Sequence, residues 1–276
     1  MNFHKSLNIK SISSLFIVFI LIKGIAYLTP IYMSQYINLI DYGNFEYALS
    51  IGQMLIGIIA MGFSAGYAYF IVTKKNNKLK YVFHLHFFLL VVLTLILVLL
   101  FPSLLDNIIF SGYLIGLFMS NQVLISSILK LDEKNIFSVL VDSAIYLILA
   151  IYLVIVSITS LKFSFNIWNV IILFVLCFNS IFYHMNNIEF KNLFRIDDFK
   201  LVYKFGLIMV ISAPVLSLIT VGNRIFIKHF IDLESVAIFS YYFRISCIIL
   251  IISRGFYILL FRRIFISEYF EIDKYF

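Results

Sequence analysis

The stretch that decides the fold is ISSLFIVFILIKGIAYLTPIYMSQYINLIDYGNFEYALSIGQMLIGIIAMGFSAGYAYFIV, residues 12–72. It consists of two long apolar segments joined by the short polar sequence YINLIDYG at Tyr36–Gly43. An α-helix rises about 1.5 Å per residue, so roughly 20 apolar residues cross the hydrocarbon core of a bilayer. Both segments are long enough, and the stretch therefore predicts a helical hairpin in a membrane.

The composition of the whole chain excludes a soluble domain. Hydrophobic residues make up 63% of the 276 residues and charged residues 13%, with a mean hydropathy of +1.04, whereas soluble domains carry about 25% charged residues. The apolar runs are continuous and lack the ten-residue alternation of membrane β-strands. The sequence therefore predicts an all-α, polytopic membrane protein.

Hydropathy along the chain predicts about eight transmembrane helices. Their approximate ranges are 12–36, 45–72, 81–101, 108–129, 136–158, 165–185, 201–228 and 236–261. The polar stretch 187–200 predicts a cytoplasmic linker between the sixth helix and the seventh. We therefore expect a six-helix N-terminal bundle over residues 1–186, followed over residues 201–276 by the first hairpin of a second, incomplete bundle.

Basic residues collect at the two ends of the chain and in every even-numbered link. They are Lys5, Lys10, Lys74, Lys75, Lys78, Lys80, Lys130, Lys134, Lys191, Arg195, Lys200, Arg262, Arg263 and Lys274. Because cytoplasmic loops carry the excess of Lys and Arg, this pattern predicts that both termini are cytoplasmic. It also accounts for the net charge of +7 without a nucleic-acid partner.

A weak internal repeat supports the two-bundle organisation. At one offset of 194 residues, Ile37-Asn38-Leu39 aligns with Ile231-Asp232-Leu233, and the residues at 45 and 47 recur as Phe239 and Tyr241. The offset spans six predicted helices, an even number, so both units begin with the same orientation. This predicts a parallel repeat about an axis along the membrane normal, a known arrangement in secondary transporters.

Charged residues within the predicted helices are the candidate functional residues, since a charge at the centre of a bilayer usually faces a cavity or a partner. Lys23, Arg244 and Arg254 lie deepest, and together they predict a cationic cavity that binds an anionic substrate such as a diphosphate-linked headgroup. The alternative is that they form structural ion pairs with Asp142 or Glu46.

The two acids have weaker signals. Asp142 is a candidate counter-ion or coupling-ion site, and Glu46 is a second candidate. Glu46 opens the predicted second helix, where a charged side chain can also reach the membrane interface.

Nothing in the sequence predicts a metal site, a cofactor or an enzyme. Cys177 and Cys247 both lie in apolar runs, as buried small hydrophobic residues do. His84 and His86 are two residues apart and therefore lie on different faces of a helix. The phosphate-binding, metalloprotease and serine-hydrolase motifs are missing from the sequence.

Two runs carry a resemblance to a known family. YLTPIYMSQYINLIDYGNFEY (Tyr27–Tyr47) and NRIFIKHFIDLESVAIFSYY (Asn223–Tyr242) resemble the first hairpins of the two halves of bacterial polysaccharide repeat-unit flippases, of the multidrug/oligosaccharidyl-lipid/polysaccharide exporter superfamily. The family often has Asp-Arg where this chain has Asn223-Arg224. The resemblance covers the whole chain, but family members usually have twelve to fourteen helices.

The resemblance implies alternating access and flipping of undecaprenyl-diphosphate-linked oligosaccharides across a bacterial inner membrane, for O-antigen or capsule biosynthesis. The short length predicts a truncated member, or one whose missing helices lie on another polypeptide, next to the polysaccharide polymerase machinery. The alternatives are a multidrug-type cation antiporter of the same fold, which would favour acidic cavity residues, and a non-functional remnant. A membrane glycosyltransferase or ligase would need catalytic acids or a large external loop, and the predicted external loops are short.

Overall fold

The computed structural model describes residues 9–159, 161–188 and 195–246. Within these ranges, all the regular secondary structure is helical. The α-helices are α1 (Ile9–Met33), α2 (Leu39–Ala60), α3 (Phe63–Tyr67), α4 (Lys80–Leu100), α5 (Ile108–Leu131), α6 (Asn135–Thr159), α7 (Phe165–Asn179), α8 (Ile196–Phe230) and α9 (Leu233–Ser246). Short π-helical or 3-10 segments are found at Ala68–Thr73, Asn77–Leu79, Pro102–Asp106, Ser180–His184 and Met185–Asn187.

Six helical segments of the described chain are long and apolar enough to cross a membrane. They are Leu39–Thr73, Asn77–Leu100, Ile108–Leu131, Asn135–Thr159, Phe165–Asn187 and Ile196–Phe230. Helix α1 adds a shorter apolar segment, Ile17–Met33. The predicted all-α, membrane-type architecture is confirmed at this level. The predicted eighth helix begins with α9, and its continuation beyond Ser246 lies outside the described residues.

The first hairpin differs from its prediction in where α2 begins. We expected residues 36–43 to be a link and the second helix to start near residue 45, but α2 starts at Leu39. The reason is the side chain of Asn38, whose Oδ1 accepts a hydrogen bond from the amide of Asp41 at 2.7 Å. This cap satisfies one of the free N–H groups of the first turn, so the helix begins six residues earlier.

Helix α8 also begins earlier than predicted. It starts at Ile196, within the stretch that was expected to be a linker up to residue 200. Asp197 and Asp198 lie in its first turn, where carboxylates interact favourably with the positive end of the helix dipole.

The predicted second helix is broken in the structure. Met61 and Gly62 both have positive φ, at 47° and 62°, and they separate α2 from α3. His86 compensates for part of the break, because its Nε2 lies 2.9 Å from the carbonyl oxygen of Ile59. A carbonyl can only accept, so Nε2 carries the proton, and Nδ1 is left to accept from the Tyr203 hydroxyl at 2.8 Å.

Helix α2 is the central helix of the packing, since it contacts α5, α8 and α9. Its glycines allow these close approaches. A Cβ atom at Gly52 would lie 2.7 Å from Cγ2 of Ile115 in α5, and one at Gly57 would overlap the Cβ of Ala213 in α8. Small residues at such crossings let helix backbones approach closely, and the resulting van der Waals packing helps helices associate in lipid.

The predicted repeat has a structural counterpart at the start of α2 and α9. Oδ1 of Asp232 accepts a hydrogen bond from the amide of Ser235 at 2.7 Å, as Oδ1 of Asn38 does from the amide of Asp41. Donor and acceptor are both shifted by the offset of 194 residues. The repeat therefore conserves the cap as well as the hydropathy of this hairpin. The division into a complete and an incomplete bundle stays a prediction.

The Asp232 cap predicts a pH dependence of stability. The Ser235 amide holds the pKa of the Asp232 carboxyl below its usual value of 3.8. A depressed pKa means that the carboxylate stabilises the folded state above pH 3.8 and that this contribution is lost as the pH falls through the lowered pKa. We expect Asp232→Ala to lower the melting temperature at pH 7 and to differ less from the wild type below pH 3.8.

The measurement is thermal unfolding in one detergent at pH 7 and at about pH 3. Asp232→Asn is the matched control, since asparagine caps a helix as well as aspartate does. A pH-independent difference between Asp232→Ala and the wild type would contradict the role of the carboxylate charge.

Candidate functional site

A cavity of about 550 Å³ lies among α1, α2, α5, α6, α8 and α9. Its lining combines apolar side chains with four charged ones from the described part of the chain: Lys23, Asp142, Arg224 and Arg244. Three of these four are basic. Uncharged polar groups complete the wall, including Tyr27, Gln53, Tyr146, Ser217 and Thr220.

Glu46 anchors the arginines behind this wall. Its side chain has no exposed surface. Its Oε1 accepts a hydrogen bond from Nε of Arg244 at 2.7 Å and forms an ion pair with Nη2 of Arg244 at 2.7 Å. Oε2 lies 3.5 Å from Nε of Arg224. One carboxylate of α2 is therefore shared by two guanidinium groups, one from α8 and one from α9.

Arg224 has two further partners. Its Nε donates a hydrogen bond to Oγ of Ser240 at 2.6 Å. Its guanidinium carbon lies 5.0 Å from the centre of the Phe243 ring, within the range of a cation–π interaction. Both partners belong to α9, so Arg224 connects α8 with α9 at the wall of the cavity.

The structure places the predicted site residues as follows. Lys23 and Arg244 line the same cavity. Arg244 also forms an ion pair with Glu46, as the structural alternative in the sequence analysis predicted. Arg254 lies outside the described residues. Whether these groups bind a substrate stays a prediction.

The expectation that Glu46 reaches the membrane interface is wrong. The prediction placed it at the start of the second helix, but α2 begins at Leu39, so Glu46 lies two turns inside the helix. At that depth its carboxylate is buried and bound to arginine instead of water.

Asp142 forms an ion pair that the sequence did not predict. Its Oδ2 lies 3.0 Å from Nζ of Lys130. Lys130 was expected in a charged cytoplasmic loop, but it belongs to the last turn of α5 and is 7% exposed. Asp142 therefore has a basic partner at the wall of the cavity, and its role as a coupling-ion site stays a prediction.

Sequence reasoning missed Arg224 as a site residue. It lies close to the predicted end of the seventh helix, near residue 228, where a charged side chain can reach the membrane interface. Helix α8 continues to Phe230, and Arg224 is 5% exposed. The signal was present in the run at Asn223–Tyr242, where an arginine precedes a long apolar and aromatic stretch.

A second buried polar cluster lies away from the cavity. Nδ1 of His84 lies 3.0 Å from Nδ1 of His184, whose Nε2 lies 2.8 Å from Oδ1 of Asn121. His84 and His86 face different partners, as their spacing predicted. Among the described residues, no three His, Cys, Asp or Glu side chains are grouped as a metal site would require.

Comparison with protein-family models, with characterised proteins and with solved structures finds no match for this chain.

Proposed function

We propose that this protein flips undecaprenyl-diphosphate-linked oligosaccharide repeat units across a bacterial inner membrane by alternating access. The observation that carries the proposal is the cavity among six helices, in which basic side chains outnumber acidic ones. A diphosphate group is strongly hydrated in water. Inside the protein, charge-assisted hydrogen bonds from guanidinium and ammonium groups can compensate for the hydration that it loses.

The surroundings of the acids favour an anionic over a cationic substrate. Glu46 is bound to two arginines and Asp142 to Lys130, so both carboxylates already have cations beside them. A multidrug-type antiporter needs an acid that can accept its cationic substrate or a coupling ion. The anionic substrate therefore remains the better proposal.

The proposal includes an orientation and a setting. Both termini face the cytoplasm, the oligosaccharide enters from the inner leaflet, and the product is used by a polysaccharide polymerase outside. If the chain acts with a second polypeptide, that partner would supply the further helices of the second bundle.

The decisive experiment is deletion of the gene in the organism that carries it, followed by extraction of lipid-linked glycans. We expect completed repeat units to accumulate on the carrier lipid while surface polymer is lost, because synthesis continues and transfer stops. Complementation with the wild-type gene should restore polymer, and Lys23→Ala and Arg244→Ala should restore less. Unchanged surface polymer without an accumulated intermediate would overturn the proposal.

A further inference from the structure

The two arginines of the cavity use their donors differently. Arg244 directs Nε and Nη2 to a single oxygen of Glu46. Arg224 uses Nε for Ser240, and Glu46 is 3.5 Å from that same nitrogen. No described residue accepts a hydrogen bond from Nη1 or Nη2 of Arg224, and Arg224 is one of the residues that line the cavity. The planar end of Arg224 is therefore available to a ligand.

We infer that Arg224 is the residue that binds the phosphate of the ligand, whereas Arg244 is a positioning residue that holds Glu46. This inference rests on the proposed function for the nature of the ligand. A guanidinium offers two parallel N–H donors to a phosphate. Arg224 has both Nη groups available for that geometry, while Arg244 has given one of them to Glu46.

The orientation of Arg224 is set before a ligand arrives. Ser240 holds Nε at 2.6 Å, and the ring of Phe243 lies 5.0 Å from the guanidinium carbon. An arginine that is fixed at Nε and by a ring loses less side-chain freedom on binding, which improves affinity. Under the 194-residue offset Ser240 corresponds to Glu46, so the two repeats present a neutral and an anionic acceptor to the same arginine.

The charges of the cluster also favour an anion. Arg224 and Arg244 bring two positive charges to one carboxylate, and all three groups are buried. A buried charge without a full counter-charge is costly. An excess of buried positive charge therefore indicates a functional site more often than a structural one. A phosphate on Arg224 would supply the missing negative charge without displacing Glu46 from Arg244.

The test is binding of farnesyl diphosphate to the purified full chain in nanodiscs, measured by isothermal titration calorimetry. We expect Arg224→Gln to weaken binding about 10- to 100-fold, the loss of a charge-assisted hydrogen-bonded pair. Arg224→Lys keeps the charge but loses the paired donors, so its affinity should fall between those of Arg224→Gln and the wild type. Ser240→Ala should weaken binding by a smaller factor, because it only releases Nε.

Arg244→Gln is the matched comparison, and its melting temperature is measured together with its affinity. We expect it to lower the melting temperature more than Arg224→Gln does, and to weaken binding less. If Arg244→Gln does not fold, Arg224→Lys and Ser240→Ala still decide. Wild-type affinity in both Arg224 variants, or equal binding of farnesol and farnesyl diphosphate, would overturn the inference.

Inorganic pyrophosphate separates the headgroup from the lipid tail. We expect pyrophosphate to bind more weakly than farnesyl diphosphate, and we expect the Arg224 variants to lose affinity for both ligands by the same factor. Dependence on Arg224 for the lipid but not for pyrophosphate would overturn a phosphate contact.

The inference and the proposed function can fail separately. If Arg224→Gln loses affinity but gene deletion leaves surface polymer unchanged, the phosphate site stands and the flipping proposal falls. If deletion strands lipid-linked repeat units but Arg224→Gln binds like the wild type, the flipping proposal stands and this inference falls.

Discussion

Arg244→Gln should lower the free energy of unfolding by about 3–5 kcal/mol, the cost of removing one partner from a buried ion pair. The side chain of Glu46 is fully buried, and its Oε1 accepts a hydrogen bond from Nε of Arg244 and forms an ion pair with Nη2 of the same residue. Without that arginine the nearest cation among the described residues is Arg224, whose Nε lies 3.5 Å from Oε2 of Glu46. The remaining carboxylate is therefore poorly paired inside the helix bundle.

The measurement is denaturation of the purified protein in mixed micelles at fixed detergent composition, for the wild type, Glu46→Gln, Arg244→Gln and the double variant. In a double-mutant cycle the two single losses should not add, because each removes the same interaction. Lys228→Gln is the control. Lys228 lies on the same hairpin and is exposed, with a cation–π contact to the ring of Tyr47 at 5.6 Å, so its replacement should change the free energy of unfolding by no more than about 1 kcal/mol. Additive losses in the cycle would show that the ion pair contributes nothing.

The helices were predictable from the sequence, whereas the contacts between them were not. Twenty-residue apolar runs have a strong signal, and each predicted helix corresponds to a helical segment of the described structure. The pairing of Glu46 with Arg244 joins residues 198 positions apart. Hydropathy gives the presence of a helix but not its rotation about its own axis, so the sequence offered the pairing of Arg244 with Glu46 only as one alternative among several.

The errors in the predicted boundaries have local causes. Hydropathy locates an apolar run, but α2 begins where the side chain of Asn38 caps it, before the apolar run becomes continuous. The break after α2 depends on Met61, which has the positive φ that favours glycine. A methionine gives no sequence signal of a left-handed residue, and the adjacent Gly62 occurs in a run that also fits a continuous helix.

The repeat explains why part of the candidate site was predictable. It aligned Asn38 with Asp232, and both residues cap a helix in the structure. The same offset aligns Glu46 with Ser240. At this position the first repeat has a carboxylate and the second has a hydroxyl group. The repeat therefore predicted where the hairpin helices begin, while the different roles that we infer for Arg224 and Arg244 depend on a position at which the two repeats differ.

Gly43→Ala should destabilise the protein by at least about 1–3 kcal/mol, the cost of overpacking a close contact. A Cβ atom at Gly43 would overlap the carbonyl oxygen of Leu233, at the start of α9. This neighbour is a backbone atom and has no rotamer that would relieve the overlap. Helix α9 would have to move away from α2, and Glu46 lies one turn further along α2. The same displacement would therefore lengthen the hydrogen bonds between Glu46 and Arg244.

Gly24→Ala in α1 is the matched control, because no described atom outside the local backbone of α1 lies within 4 Å of the added Cβ. The gain in helix propensity should leave that variant unchanged or more stable by up to about 1 kcal/mol. Both variants are compared with the wild type by denaturation in the same mixed micelles. If α2 and α9 are in tight contact, Gly43→Ala loses stability and Gly24→Ala does not. Equal behaviour of the two variants would mean that α9 can move away from α2 without cost, and the Glu46–Arg244 pair would then lose its structural support.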